Sequence, residues 1–111
     1  MRIVIPTNDG FNVAEHFGRC KKYVLLDDSG KVLEEFDNST EHMGGSGLPP
    51  ELMKAHGADV LLCKALGLRA LKLCESLGIK VFTSEGSSIK ELFNLWKKGE
   101  LTSADACEEH V

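Results

Sequence analysis

Short apolar runs alternate with polar, glycine-containing segments along most of the chain. The run "RIVIP" at 2–6 is rich in β-branched residues and is closed by "TNDG", which predicts a buried first strand. The runs "KYVLL" at 22–26 and "KVLEEFD" at 31–37 flank "DDSG", whose residues favour a tight turn. These two runs predict an antiparallel hairpin, and the acidic residues of the second suit an exposed sheet edge.

The second half of the chain alternates predicted helices and strands. Buried strands are expected at 59–63 ("DVLLC") and 79–83 ("IKVFT") because both are short apolar runs. The last predicted helix opens with Ser88 and Glu91 at capping-box spacing. Each predicted helix ends on a glycine, a common helix stop. The three helices are expected at 48–57, 65–78 and 87–99.

This order of elements predicts one α/β domain over residues 1–101, followed by an acidic tail over 102–111 that shows no periodicity. Alternating strands and helices imply parallel strands with right-handed crossovers, and the opening hairpin makes the sheet mixed. We expect five strands in the order 3-2-1-4-5, with strand 2 antiparallel to the rest and helices on both faces. That arrangement resembles the three-layer ribonuclease H-like architecture.

Composition favours a folded domain that binds neither nucleic acid nor membrane. Hydrophobic residues make up 42% of the 111 residues and charged residues 27%, as in ordinary globular domains. The net charge is -4 and no long run of Lys and Arg is present, so nucleic acid is a poor first guess. No window approaches the roughly 20 apolar residues of a membrane helix, and the opening run is too short for a secretory signal. We expect a cytoplasmic protein whose four cysteines are thiols.

The predicted topology brings several potential ligands to one edge of the sheet. Strand 1 lies at a topological switch point, and ligands of open α/β sheets favour the crevice at the carboxyl ends of such strands. His16 lies in the loop after strand 1, His42 in the glycine-rich loop after strand 3, and Cys63 at the end of strand 4. Cys20 opens strand 2, which descends from the same edge. Imidazole and thiol groups suit soft metal centres.

Positively charged groups at this edge should favour the binding of an anion. Arg19 and Lys64 come from two of its loops. The helix that begins near Leu66, with Gly67 at its start, would add unpaired backbone N–H groups and the positive end of a helix dipole. The sequence therefore predicts a site for an anion with metal-containing character.

Structural roles stay open for these residues. His16 can equally hydrogen-bond its own loop, and His42 can be a solvated loop residue. Cys63 and Cys74 are typical of a buried core, whereas Cys20 stays undecided.

Cys107 and His110 stand three residues apart in the tail. That spacing suits one half of a zinc or iron site. A disordered tail is the alternative interpretation.

The sequence offers little support for catalysis. Phosphoryl-transfer members of the ribonuclease H-like class need carboxylates on the central strands to hold divalent metal. Strand 1 has no acidic residue, and Asp59 lies at the wrong end of strand 4. No P-loop, GxSxG or strand-linked GxGxxG motif is present. A nucleophile pair of Cys20 and His16 would need an orienting residue and an oxyanion hole that the sequence does not identify.

Four short segments resemble the motifs of one known family, in order from Met1 to about Leu101. "EHFGRCKKYVLLDD" is similar to an "HFG-R" motif, and Asn38 with "HMGGSG" is similar to an "N…HG-G" loop. "GADVLLCKALGLRAL" and "LGIKVFTSEGSSIKELFNLWKKGEL" are similar to its later motifs. The family is that of dinitrogenase iron–molybdenum cofactor biosynthesis. The resemblance implies a ribonuclease H-like fold used for binding rather than hydrolysis.

The resemblance also implies roles for individual residues. His16 takes the position of the family's cluster-binding histidine, and His42 that of its loop histidine. Apart from the resemblance, we expect Arg19 and the helix-terminal amides near Gly67 to counter the negative charge of a cluster, and Cys20, Cys107 and His110 to assist in binding it. Some short members end with a pair like Cys107 and His110. Cys20 and the pair Cys63–Lys64 depart from the small residues expected at those positions, which leaves open which cluster fits.

The expected function is therefore to bind or carry an iron–molybdenum or other iron–sulfur-type cluster during its biosynthesis, storage or delivery. Cluster-assembly or acceptor proteins would be its partners, and a role in nitrogenase does not follow from the family alone. Two alternative functions stay open, of which the first uses the same crevice and the second needs no ligand site. One is a small-anion or nucleotide-binding module, or a phosphoryl-transfer enzyme, with Arg19 and Lys64 holding the anion. The other is a protein-interaction domain without a ligand.

Overall fold

The computed structural model describes residues 1–38 and 49–104. It contains a mixed sheet with helices on both faces. Within these ranges the strands are β1 (Ile3–Thr7), β2 (Lys22–Leu26), β3 (Val32–Asp37), β4 (Val60–Cys63), β5 (Lys80–Thr83) and β6 (Thr102–Ala104). The α-helices are α1 (Pro49–Ala55), α2 (Leu68–Ser76) and α3 (Ile89–Lys97).

The sheet has the strand order β3-β2-β1-β4-β5-β6. Strands β1, β3, β4 and β5 run in one direction, and β2 and β6 run in the other. The predicted order and the reversed second strand are confirmed. Thr7 pairs with Lys22, Lys22 with Asp37, and Cys63 with Thr83. The ends of the four co-directional strands therefore lie along one border of the sheet, which we call the carboxyl edge.

The expectation of five strands is wrong, because Thr102–Ala104 forms a sixth. Thr102 pairs with Thr83, and Ala104 with Val81, in an antiparallel ladder. This strand satisfies backbone groups that would otherwise be unpaired along β5. Three residues are too few to produce a periodic pattern, so the sequence pattern assigns them to the acidic tail. Residues 105–111 lie outside the described residues.

The core is divided between the two faces of the sheet. Val4 of β1 and Leu61 of β4 pack with α1 and α2 on one face. Ile3, Ile5 and Leu62 pack with α3 on the other. A strand covered on both sides needs apolar residues at successive positions, which explains the uninterrupted apolar runs of β1 and β4.

The helix boundaries follow local capping chemistry. The Ser88 side chain accepts a hydrogen bond from the Glu91 N–H at 3.0 Å, and the Ser87 N–H donates to Glu91 Oε1 at 3.0 Å. The predicted start of α3 is thus confirmed. Helix α2 begins later than expected, at Leu68, after Gly67 as its N-cap. No helix within the described residues is long and apolar enough to cross a membrane.

Candidate functional site

A hydrogen-bond network around Asp9 fixes the loop between β1 and β2. Asp9 Oδ1 accepts hydrogen bonds from the Asn12 and Phe11 N–H groups, both at 2.8 Å, and Oδ2 accepts from Asn12 Nδ2 at 2.9 Å. Thr7 Oγ1 donates to the Asn12 carbonyl at 2.6 Å and accepts from the Gly10 N–H at 2.9 Å. The backbone donors of Asn12 and Phe11 hold the pKa of Asp9 well below its usual range. The network therefore persists at neutral and mildly acidic pH.

A 3-10 turn at Phe17–Arg19 follows this loop. Phe17 is buried, and its carbonyl accepts hydrogen bonds from the Tyr23 hydroxyl at 3.1 Å and the Cys20 thiol at 3.3 Å. His16 and Arg19, on either side of the buried ring, are exposed. Within the described residues, the His16 imidazole forms no hydrogen bond. The turn thus anchors a scaffold residue and leaves an imidazole and a guanidinium available to a ligand.

A groove of about 980 Å³ lies at the carboxyl edge between this turn and α2. We call it the edge groove. Its size falls in the range of ligand pockets, about 300–1,000 Å³. One wall is formed by Glu15–Phe17 and Arg19, and Pro49 and Pro50 of α1 also contribute. The opposite wall is formed by Ala65–Gly67 and, from α2, by Arg69, Ala70, Lys72 and Leu73.

Positive charge predominates around the edge groove. Arg19, Arg69 and Lys72 line it, and Glu15 is the acidic residue among the described lining residues. The Lys64 ammonium lies 2.8 Å from Glu15 Oε1, and this hydrogen bond lowers the pKa of Glu15. The carboxyl is therefore ionised at neutral pH. The combination of apolar walls and cations suits a large anion with an apolar or soft surface.

Gly67 gives the edge groove an open side at the start of α2. Its backbone is extended, with φ -74° and ψ 162°, and no side chain caps the helix there. A Cβ atom added at this position would meet nothing within 4 Å. The first turn of an α-helix has backbone N–H groups without intrahelical partners, so a ligand in the groove could approach these donors closely.

The cysteines of the described region lie in the core. Cys20, Cys63 and Cys74 are buried among the side chains on the α1 and α2 face of the sheet. Burial raises the pKa of the Cys20 thiol and raises the pKa values of Cys63 and Cys74 to about 12. These thiols are protonated at neutral pH, whereas a metal ligand must be the thiolate.

The structure brings together three of the predicted site residues. His16, Arg19 and Gly67 all line the edge groove. Cys20 does not, because its thiol is directed to the Phe17 carbonyl inside the core. Within the described residues, no group of three or more His, Cys, Asp or Glu side chains could hold a metal ion. Three further predicted ligands lie outside the described residues: His42, Cys107 and His110.

Sequence reasoning missed Arg69 and Lys72 as residues of the groove. Both belong to α2, whose buried residues are Leu71 and Cys74. A three-residue spacing places Arg69 and Lys72 on one helix face. That spacing was visible in the sequence, but it is equally typical of a solvated face.

Known proteins match this chain over nearly its whole length. A family model described as dinitrogenase iron–molybdenum cofactor matches residues 1–99. The uncharacterized protein MJ0580 of Methanocaldococcus jannaschii is 27% identical over 106 residues, which cover 91% of this chain and 89% of that protein.

Solved structures share the fold. The crystal structure of PH0822 is 31% identical, with a TM-score of 0.74 over 94% of this chain and 96% of the other. The apo form of the orange protein from Desulfovibrio gigas is 24% identical, with a TM-score of 0.78 over 93% and 92% of the two chains. A putative NifB protein from Thermotoga is 21% identical, with a TM-score of 0.72 over 92% and 91%. With a family match that spans residues 1–99 of 111, the chain belongs to the dinitrogenase iron–molybdenum cofactor family.

Proposed function

We propose that this protein binds an iron–molybdenum or other iron–sulfur-type cluster in the edge groove. It would act in the biosynthesis, storage or delivery of the cluster, and not as an enzyme. The observation that carries the proposal is one exposed imidazole, His16, beside a large groove lined by Arg19, Arg69 and Lys72. Metal–sulfur clusters combine metal ions that accept imidazole with soft sulfide faces and a net charge that their surroundings must accommodate.

Family membership supports this proposal. The description of the family model names the iron–molybdenum cofactor of dinitrogenase. One structural neighbour is described as an apo form, which indicates a protein that takes up a ligand, and another carries the name NifB. We further propose that the three-layer architecture is of the ribonuclease H-like type and that the protein works in the cytoplasm with cluster-assembly or acceptor proteins.

A small ligand set is consistent with transfer. A closed cage of four thiolates is typical of a resident iron–sulfur cluster, but the described thiols are buried and protonated. A cluster held mainly by His16 and by charge could be released to an acceptor without unfolding the site. His42, Cys107 and His110 are proposed as additional ligands.

Anaerobic reconstitution tests the proposal. The protein is incubated with ferrous iron, sulfide and molybdate, desalted, and examined by visible absorption and metal analysis. Wild type should retain metal and sulfide in a fixed ratio near one cluster per chain, and omission of molybdate would identify the cluster type. Failure to retain metal under all of these conditions would contradict a carrier role.

Anion or nucleotide binding is the second candidate function, favoured by the positions of Arg19 and Arg69 in the edge groove. Lys64, expected to hold the anion, is already paired with Glu15. Titration with ATP and Mg²⁺ distinguishes the candidates. Saturable nucleotide binding without cluster uptake would favour the nucleotide module.

A side chain at Gly67 is expected to obstruct the edge groove without unfolding the protein. The extended backbone there accepts any residue, and the Cβ position is open. Gly67→Leu should lower cluster retention about tenfold, while the poorer helix cap costs no more than about 1 kcal/mol of unfolding free energy. Gly67→Ala is the matched control and should retain most of the cluster. Full retention by a folded Gly67→Leu variant would show that the cluster does not approach the start of α2.

A further inference from the structure

We infer that the Glu15–Lys64 ion pair is a clasp that limits how tightly the edge groove holds an anionic cluster. The inference rests on the proposed function, because it concerns the binding and release of that cluster. Glu15 directly precedes His16 and lines the groove. Lys64 directly follows the last residue of β4. The pair therefore joins the two loops whose side chains form the opposite walls.

The contact geometry makes this pair the polar link between the walls. Lys64 Nζ lies 2.8 Å from Glu15 Oε1, and the side chains are 20% and 75% exposed, respectively. Among the described residues, no other hydrogen bond or ion pair connects the segment 15–20 with the segment 63–73. The ammonium is thus held next to Glu15, a lining residue of the groove whose carboxylate faces solvent, although Lys64 itself is not a lining residue.

This arrangement weakens anion binding in two ways. The Glu15 carboxylate repels an anion in the groove, and it also occupies an ammonium that the anion would otherwise attract. The remaining charged residues of the described lining are the cations Arg19, Arg69 and Lys72. Glu15 is therefore the lining residue whose charge opposes the cargo.

A loaded groove would place Lys64 between two competing anions. The lysine side chain has a flexible four-carbon stem, so its ammonium can exchange between Glu15 and a cluster without movement of the backbone. Retention of the Glu15 contact favours release, whereas transfer of the ammonium to the cluster favours binding. The pair is thus a specificity-determining element that penalises anions in proportion to their charge.

Two sulfide-faced anions of similar shape and different charge test this inference. Tetrathiomolybdate carries two negative charges and tetrathioperrhenate carries one. Both absorb visible light and can be followed by equilibrium dialysis at low ionic strength. Glu15→Gln should bind the dianion about threefold to tenfold more tightly than wild type, and the gain should shrink in high salt. Because the Coulomb energy is proportional to the charge of the ligand, the affinity for the monoanion should rise by only about the square root of that factor.

Matched variants separate the local effect from a change in overall charge. Lys22 Nζ lies 2.7 Å from Glu35 Oε1 in a comparable pair on β2 and β3, away from the groove. Glu35→Gln removes the same charge and should alter the affinity for either anion by less than about twofold. Lys64→Met should weaken binding of the dianion about as much as Glu15→Gln strengthens it. Lys64→Arg keeps the positive charge and should recover most of the dianion affinity that Lys64→Met loses. All variants should unfold near the wild-type temperature because exposed ion pairs contribute little stability.

The outcomes distinguish failure of the clasp from failure of the proposed function. If Glu15→Gln binds no more tightly than Glu35→Gln, or gains equally for both anions, the clasp is wrong. Uptake of a cluster by wild type but not by His16→Ala would leave the proposed function standing in that case. If wild type binds neither anion, the clasp is also wrong. Absence of cluster uptake as well would overturn both proposals.

Discussion

The His16→Ala variant is expected to retain about a tenth or less of the cluster that wild type retains after anaerobic reconstitution. Loss of groups that merely support a metal ligand costs about 10–100-fold in affinity, so loss of the ligand itself should cost at least as much. The imidazole is exposed and forms no hydrogen bond within the described residues. Its removal should therefore leave the free energy of unfolding nearly unchanged. Metal content and visible absorption after desalting measure the retention.

A second histidine provides the control for this experiment. The His56 ring stacks on Phe36 with ring centres 3.8 Å apart, and its Nδ1 lies 3.0 Å from Glu34 Oε1. Its carbonyl accepts a hydrogen bond from the Arg2 side chain, and His56 is not among the residues that line the edge groove. His56→Ala should lose some stability but load normally. Equal and specific loading of His16→Ala and wild type would remove His16 from the site.

Alkaline pH should destabilise the protein through its buried thiols. Burial raises the pKa values of Cys63 and Cys74 to about 12, whereas a thiol in the unfolded chain has a pKa of about 8.5. The folded state thus holds these protons more tightly. Stability is fully present below pH 8.5 and falls as the pH rises toward 12. The expected slope is about 1.4 kcal/mol per pH unit for each thiol.

Urea unfolding between pH 7.5 and 10, under reducing conditions, measures this slope. By pH 10 each thiol should have removed about 1.5–2 kcal/mol of the free energy of unfolding. Cys63→Ala and Cys74→Ala should each flatten the slope by one thiol's share, even though each substitution lowers stability at pH 7.5. Burial also raises the pKa of Tyr23, and because an unfolded tyrosine titrates near pH 10, its contribution within this range is confined to the upper end and is common to all the variants. An unchanged slope in both variants would show that these thiols titrate alike in the folded and unfolded states.

The order and direction of the first five strands could be predicted because each has a strong local signal. The uninterrupted apolar runs of β1 and β4 predict strands buried on both faces of the sheet. The turn sequence "DDSG" is too short to join any strands but direct neighbours. Strand β6 has no such signal. Its three residues form a strand because the open side of β5 offers them partners, and that reason is not local to the sequence.

Side-chain direction determines which of the predicted site residues line the edge groove. His16 and Cys20 share one loop, but the turn at Phe17–Arg19 leaves the first exposed and turns the second into the core. Their residue types alone would serve equally well as ligands. Arg69 and Lys72 line the groove only because α2 packs through Leu71 and Cys74. Such orientations depend on tertiary packing, which sequence spacing does not specify.

Anomalous X-ray scattering at the iron edge, from crystals of the reconstituted protein, tests the central proposal most directly. The account predicts a strong peak in the edge groove, within coordination distance of the His16 imidazole and near Arg19 and the start of α2. A peak elsewhere on the protein, with the groove empty at full metal occupancy, would contradict it.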